Sequence, residues 1–113
     1  MIQFDEFKKV ELKVAKVVSS ERVEGSEKLL RLVVDCGDTD EAGAPKTRQV
    51  LAGVGKVYTP EEMVGREIIV VVNLAPRMMM GLESQGMLLA ADHPDGPVLL
   101  RPDKDVDPGS EIR

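Results

Sequence analysis

Residues 47–72, TRQVLAGVGKVYTPEEMVGREIIVVV, decide the fold. Residues 47–54 read as a strand closed by Gly53 and Gly55. Residues 68–72 are an unbroken β-branched run, the pattern of a strand buried on both faces. Between them, Thr59-Pro60-Glu61-Glu62 carries a helix start. A threonine cap, proline at the first helical position and glutamate at the third make a capping box. Gly65 ends that helix within about two turns. A short helix between the third and fourth strands of an otherwise strand-rich chain favours an OB-fold over other small barrels and sandwiches.

Upstream, Asp5 is placed to cap a short helical turn anchored by Phe4 and Phe7. From Val10 the pattern alternates, with Val10, Leu12 and Val14 on one face. The alternation slips at Ala15, which predicts a bulge or bend in a long first strand. Glu24-Gly25-Ser26 is a turn, residues 29–35 a second strand, and residues 37–45 a polar loop. Downstream, residues 73–85 form a long connection, residues 86–91 a fifth strand, and residues 98–101 a short strand after a turn at 93–97. These elements predict an all-β chain: one domain over residues 1–113, a five-stranded Greek-key OB barrel with small terminal additions.

Composition narrows the function. The 113 residues are 42% hydrophobic and 31% charged, a globular balance, and no apolar run approaches the roughly 20 residues of a membrane span. The opening MIQFDEFKKV lacks a signal peptide's apolar stretch, so the expected compartment is the cytoplasm. Cys36 is the single cysteine, ends an apolar run, and reads as a small buried hydrophobe. The net charge of -5 weighs against polyanion binding, but local potential decides that question, and residues 46–60 hold Lys46, Arg48 and Lys56.

Catalytic constellations are poorly supported. His93 stands in a turn between Asp92 and Asp95, and Ser84 has neither a neighbouring histidine nor an elbow motif. DKDVDPGSE at 103–111 lacks a calcium loop's spacing, and GVGKVYT at 53–59 lacks a phosphate loop's. No catalytic residue, metal ligand or cofactor site is expected. Aromatic residues amount to 3%, too few to build a stacking platform for single strands. An OB-fold of this composition would recognise folded RNA by shape, phosphates and 2′-hydroxyls, with Lys28, Arg31, Lys46, Arg48, Lys56 and Arg77 as candidate contacts. The run Met78-Met79-Met80 is either a barrel plug or an adaptable apolar surface.

Three segments carry a family resemblance: DEFKKVELKVAKVVSSERVEGSEKLLRLVVDCGD (5–38), TRQVLAGVGKVYTPEEMVG (47–65) and VVVNLAPRMMMGLESQGMLLAA (70–91). Together they resemble the tRNA-binding domain at the C-terminus of many bacterial methionyl-tRNA synthetases. The archaeal synthetase β-subunit and free-standing tRNA-binding proteins share it, and the export chaperone CsaA is related. The resemblance implies an OB-fold homodimer that holds the outside of the tRNA elbow without catalysis, alone or joined to the catalytic part of the synthetase. It places tRNA contacts at Lys28, Arg31, Asn73, Arg77, Ser84, Gln85 and Met87. Lys28, Arg31 and Arg77, like Arg48, would meet phosphates. Asn73, Ser84 and Gln85 would bind sugar or phosphate, or orient the loop, and Met87 would support the loop or make an apolar contact. Where the family often has a second basic residue after the signature proline, this chain has Met78. The alternative, a CsaA-like peptide-binding module, agrees less well with the EGSEKL turn at 24–29.

Overall fold

A computed structural model describes residues 1–113. The first strand, β1 (Leu12–Arg22), organises the molecule. Its first half pairs antiparallel with β4 (Glu67–Val71), and its second half with β2 (Leu30–Asp35). Lys16 stands opposite Glu67 in one ladder and Asp35 in the other. The register slips between Val17 and Ser19, at least two residues beyond Ala15, where the alternation slips. This bulge bends β1 so that it serves both sides of a barrel. The sheet runs β3 (Arg48–Ala52), β2, β1, β4, β7 (Met87–Leu88), and β10 (Glu111–Ile112) pairs with the start of β1.

The interior follows from period-two alternation. Leu30, Leu32 and Val34 of β2 point inward and are fully buried, with Arg31, Val33 and Asp35 between them only partly covered. Ala15, Val17, Val50, Ile68 and Val70 join them, and Met63 from α2 (Pro60–Met63) closes one end. Thr59 caps α2 as expected: its Oγ1 accepts from the Glu62 N–H at 3.2 Å, and Glu62 Oε1 accepts from the Thr59 N–H at 3.1 Å. The helix lasts one turn rather than two, because Val64 already has extended backbone before Gly65.

Two expectations change. The turn α1 (Phe4–Phe7) is capped by Gln3, not Asp5, and Phe4 and Phe7 anchor nothing: they are 71% and 45% exposed. Residues 73–91 are not a long loop followed by one strand. They fold into β5 (Arg77–Met79), β6 (Leu82–Ser84) and β7, and run into β8 (Ala90–His93), which forms a hairpin with β9 (Gly96–Leu99) beyond them. Met80 and Gly81 both take positive φ in the two-residue β5–β6 turn, which tight hairpins require.

The barrel closes where β3 meets this segment, and side chains do the closing. On the edge of β3 away from β2, the Leu51 N–H donates to Ser84 Oγ at 3.0 Å and the Gln49 N–H to Gln85 Oε1 at 2.9 Å. The Gln85 N–H returns a bond to the Gln49 carbonyl at 2.8 Å, and Ser84 Oγ donates to the Gly86 carbonyl at 2.9 Å. A Cβ at Gly86 would fall 2.9 Å from Val70 Cγ1, so the chain passes too close to β4 for a side chain there. Beside this seam, Arg48 Nη1 donates to the Val72 and Gln85 carbonyls at 2.6 and 3.2 Å. The same guanidinium grips Asp38 with two bonds, 2.6 and 3.1 Å. The bonds from Arg48 hold the Asp38 carboxyl below its ordinary range and raise the guanidinium above its own.

Ser84→Ala should cost about 1–3 kcal/mol in denaturant unfolding, because it strands the buried Leu51 N–H without an acceptor. The Asp38 carboxyl, depressed on folding, contributes stability above its unfolded pKa near 3.8, and that contribution is lost as pH falls through the lower folded value. Asp38→Asn should therefore remove part of the acid limb of a stability–pH curve. Cys36 behaves in the opposite sense. Burial pushes its thiol up to about 11 from 9.0. The folded state should lose stability as pH rises from 9 towards 11, where only the unfolded thiol ionises, and Cys36→Ala should flatten that limb.

Candidate nucleic-acid interface

The outer face of the β1–β2–β3 sheet is the half-covered surface of the barrel. Val50, Leu51 and Ala52 are three buried apolar residues in a row, which alternation on a one-sided strand does not permit. Leu51 points outward and is buried by the β5–β6 hairpin, with Val23 and Leu29 below it and Met79 and Leu82 above. Met79 and Leu82 are directly opposite in the hairpin, so one cross-strand pair supplies its apolar underside. Their neighbours Met78 and Met80 are 63% and 58% exposed, which places these two of the three methionines on the surface and neither in the barrel.

Cations collect at both ends of β3. At its C-terminal end, Arg22 Nη1 donates to the Gly55 carbonyl at 3.0 Å, and the Gly55 N–H to the Lys28 carbonyl at 2.6 Å. Arg22, Lys28 and, next to Gly55, Lys56 therefore share one corner. At the N-terminal end Lys46, Arg48, Pro76 and Gln85 line a common groove, and Arg77 follows at the start of β5, opposite Ser84. Five residues of strand separate the two groups, about 17 Å of rise. Arg31, Arg48, His93 and Arg113 are the basic side chains that stand within 4.0 Å of a carboxylate. Lys28, Lys46, Lys56 and Arg77 have no such partner, and all four are exposed.

The structure sorts the expected site residues by what holds them. Lys28 and Arg77 project freely. Arg31 is half-buried, donating to Glu21 at 2.6 Å and to Gln49 Oε1 at 2.5 Å. Arg48 is bound to Asp38 and the barrel seam. Asn73 ties the N-terminal segment to the barrel: its Oδ1 accepts from the Glu11 N–H at 2.9 Å and its Nδ2 donates to the Lys9 carbonyl at 2.6 Å. Ser84 is buried and, with Gln85, is consumed by the seam, while Met87 lies half exposed on β7, opposite Val71. Thus Lys28, Arg31, Arg77, Ser84 and Gln85 gather around β3, and Asn73 lies apart at the junction of β4 with the start of β1.

Sequence reading missed Glu21 and Gln49. Gln49 joins the sheet to the hairpin, its Nε2 donating to the Glu83 carbonyl at 2.8 Å and its Oε1 accepting from Arg31. The buried triplet at 50–52 was the available signal that something packs on the outside of this strand. The aromatic residues lie elsewhere. Phe4 and Phe7 line a groove with Leu12 and Ile112, and Tyr58 packs against the core and under Arg66. No helix is long and apolar enough to cross a membrane.

Residues 12–111 match the family described as "Putative tRNA binding domain". A methionine–tRNA ligase of Methanothrix thermoacetophila is 50% identical over all 113 residues, and one of Azoarcus sp. is 47% identical over 99% of the chain. The chain spans 16% of the length of each. Among solved structures, a methionyl-tRNA synthetase-related protein from Pyrococcus horikoshii superposes with a TM-score of 0.87 at 34% identity, covering 100% of this chain and 98% of that one. The chaperone CsaA from Bacillus anthracis superposes at 0.84 with 29% identity, covering 100% and 99%. An all-β OB-like barrel, a signature segment that completes it and a match across residues 12–111 make this chain a member of the tRNA-binding domain family.

Proposed function

We propose that residues 1–113 form one non-catalytic module that binds tRNA by its folded shape and backbone, as part of a methionyl-tRNA synthetase or beside one. The observation that carries this is the pair of unneutralised cation groups flanking the signature hairpin, Lys28 with Lys56 at one end of β3 and Lys46 with Arg77 at the other. Lys28, Arg77 and, once released from its carboxylate, Arg31 would meet phosphates. Asn73 fastens the N-terminal segment at a separate place, and Ser84, Gln85 and Arg48 hold the surface on which those cations stand. Met87 offers an apolar contact beside it. The absence of aromatic residues around β3 favours backbone contacts over base stacking.

The module acts as a homodimer. One copy presents few free cations, and a two-fold pair doubles them and raises their effective concentration. A second reading, a CsaA-like peptide-binding module, is favoured by exposed Met78 and Met80. It requires binding that ignores salt.

Titration against unfractionated tRNA should show affinity falling as salt rises. Lys28→Ala and Arg77→Ala should each weaken binding about three- to tenfold and lower the salt slope by about 0.9. Light scattering should give twice the chain mass. Salt-insensitive binding that is lost when Met78 and Met80 are made polar would sink the tRNA reading in favour of the peptide one.

A further inference from the structure

Of the two carboxylates that line the groove beside Arg31, Glu21 and Glu24, only Glu21 is paired with it. Glu21 is directly opposite Arg31 in the β1–β2 ladder, and Arg31 Nη1 donates to Glu21 Oε1 at 2.6 Å. The other end of the guanidinium is fixed as well. Arg31 Nε donates to Gln49 Oε1, and Gln49 is held by Gln85 and the Glu83 carbonyl. Arg31 is therefore aimed by the signature segment, through Gln49, into a groove lined by Glu21, Arg22, Glu24, Met80 and Leu82.

We propose that Glu21 is a built-in competitor for the phosphate that Arg31 would receive, a residue that sets affinity and selects for extended polyanions. The proposal rests on the tRNA-binding reading. Carboxylate and phosphate use the same face of a guanidinium, so only one can hold Nη1 in this geometry. The pair is open to exchange: the side chains are 36% and 62% exposed, and Nη2 has no partner within the chain. A surface pair of this kind is weak enough to be displaced. Gln49 is not displaced with it, because its side-chain amide donates to the Glu83 carbonyl of the hairpin and its backbone N–H to Gln85 Oε1, so the guanidinium stays oriented as Glu21 swings away. A small anion arriving alone must evict Glu21 with no other contact to help. A polynucleotide that also engages Lys28 and Arg77 brings its phosphate at high effective concentration and wins the exchange. Met80 and Leu82 supply an apolar wall for the adjoining ribose.

The test is tRNA affinity of Glu21→Gln in the intact chain, with Glu21→Ala as a second variant and melting temperature as the folding check. Glu21→Gln should bind unfractionated tRNA about three- to tenfold more tightly. Inorganic phosphate should compete with tRNA more strongly in the variant than in the parent. The gain should vanish against an Arg31→Ala background, and Glu61→Gln on α2, which removes the same charge far from the groove, should leave affinity unchanged. Unchanged or weaker binding by both Glu21 variants, or a gain that survives Arg31→Ala, overturns the proposal. If Lys28→Ala and Arg77→Ala still weaken binding in that case, the tRNA reading stands without it. No tRNA binding by any variant, Glu21→Gln included, overturns both.

Discussion

The unpaired edge of β3 is the constraint on which the molecule turns. A strand in that position presents N–H groups that must find acceptors or be left to water or to another chain. Here the acceptors are Ser84 Oγ and Gln85 Oε1, side chains standing in for the backbone of a closing strand. Because those two residues are fixed, the hairpin before them is fixed, and its Met79–Leu82 pair can bury Leu51 on the outside of the barrel. Barrel closure and the layout of the candidate interface are one arrangement.

Electrostatics are organised by the same segment. Arg48 and Arg31 each meet a carboxylate at 2.6 Å, yet the two pairs do different work. Arg48 also serves two carbonyls at the seam, so its charge is spent inside the fold and its link to Asp38 adds a polar loop to the barrel. Arg31 serves no backbone carbonyl and is only partly covered, so its charge lies at the sheet surface, held there by Glu21 and the Gln49 amide. A net charge of -5 hides this distinction, as does any count of cations by type. What remains for a polyanion around β3 is Lys28, Lys46, Lys56, Arg22 and Arg77, none within 4.0 Å of a carboxylate, with Glu24 and Glu83 among them.

The three consecutive methionines illustrate how one residue type divides by strand geometry. Met79 faces the sheet and packs, while Met78 on the opposite face of β5 is exposed. Met80 occupies a positive-φ position that a glycine or asparagine would fill more readily, at the hairpin tip near Gly25. An apolar side chain held in that backbone shape on the surface is a costly choice for a mere turn.

Much of the architecture was legible in the chain itself. The bent first strand and the inward face of β2 follow from local alternation, the burial of β4 from its unbroken apolar run, and the Thr59-capped turn from capping chemistry that acts within a few residues. The segment 73–91 was legible as unusual, and its wording carried the family, but its shape was misread because a hairpin with one apolar side looks like a loop until the surface it covers is known. Ser84 and Gln85 could be named from the sequence, yet whether they face RNA or a strand edge depends on bonds spanning more than thirty residues. Sequence alone determined which residues could be buried, capped or charged, since those are properties of side chains and near neighbours. Tertiary structure alone decided which charges stay free, because a cation is neutralised by whatever the folded chain brings within about 4 Å of it.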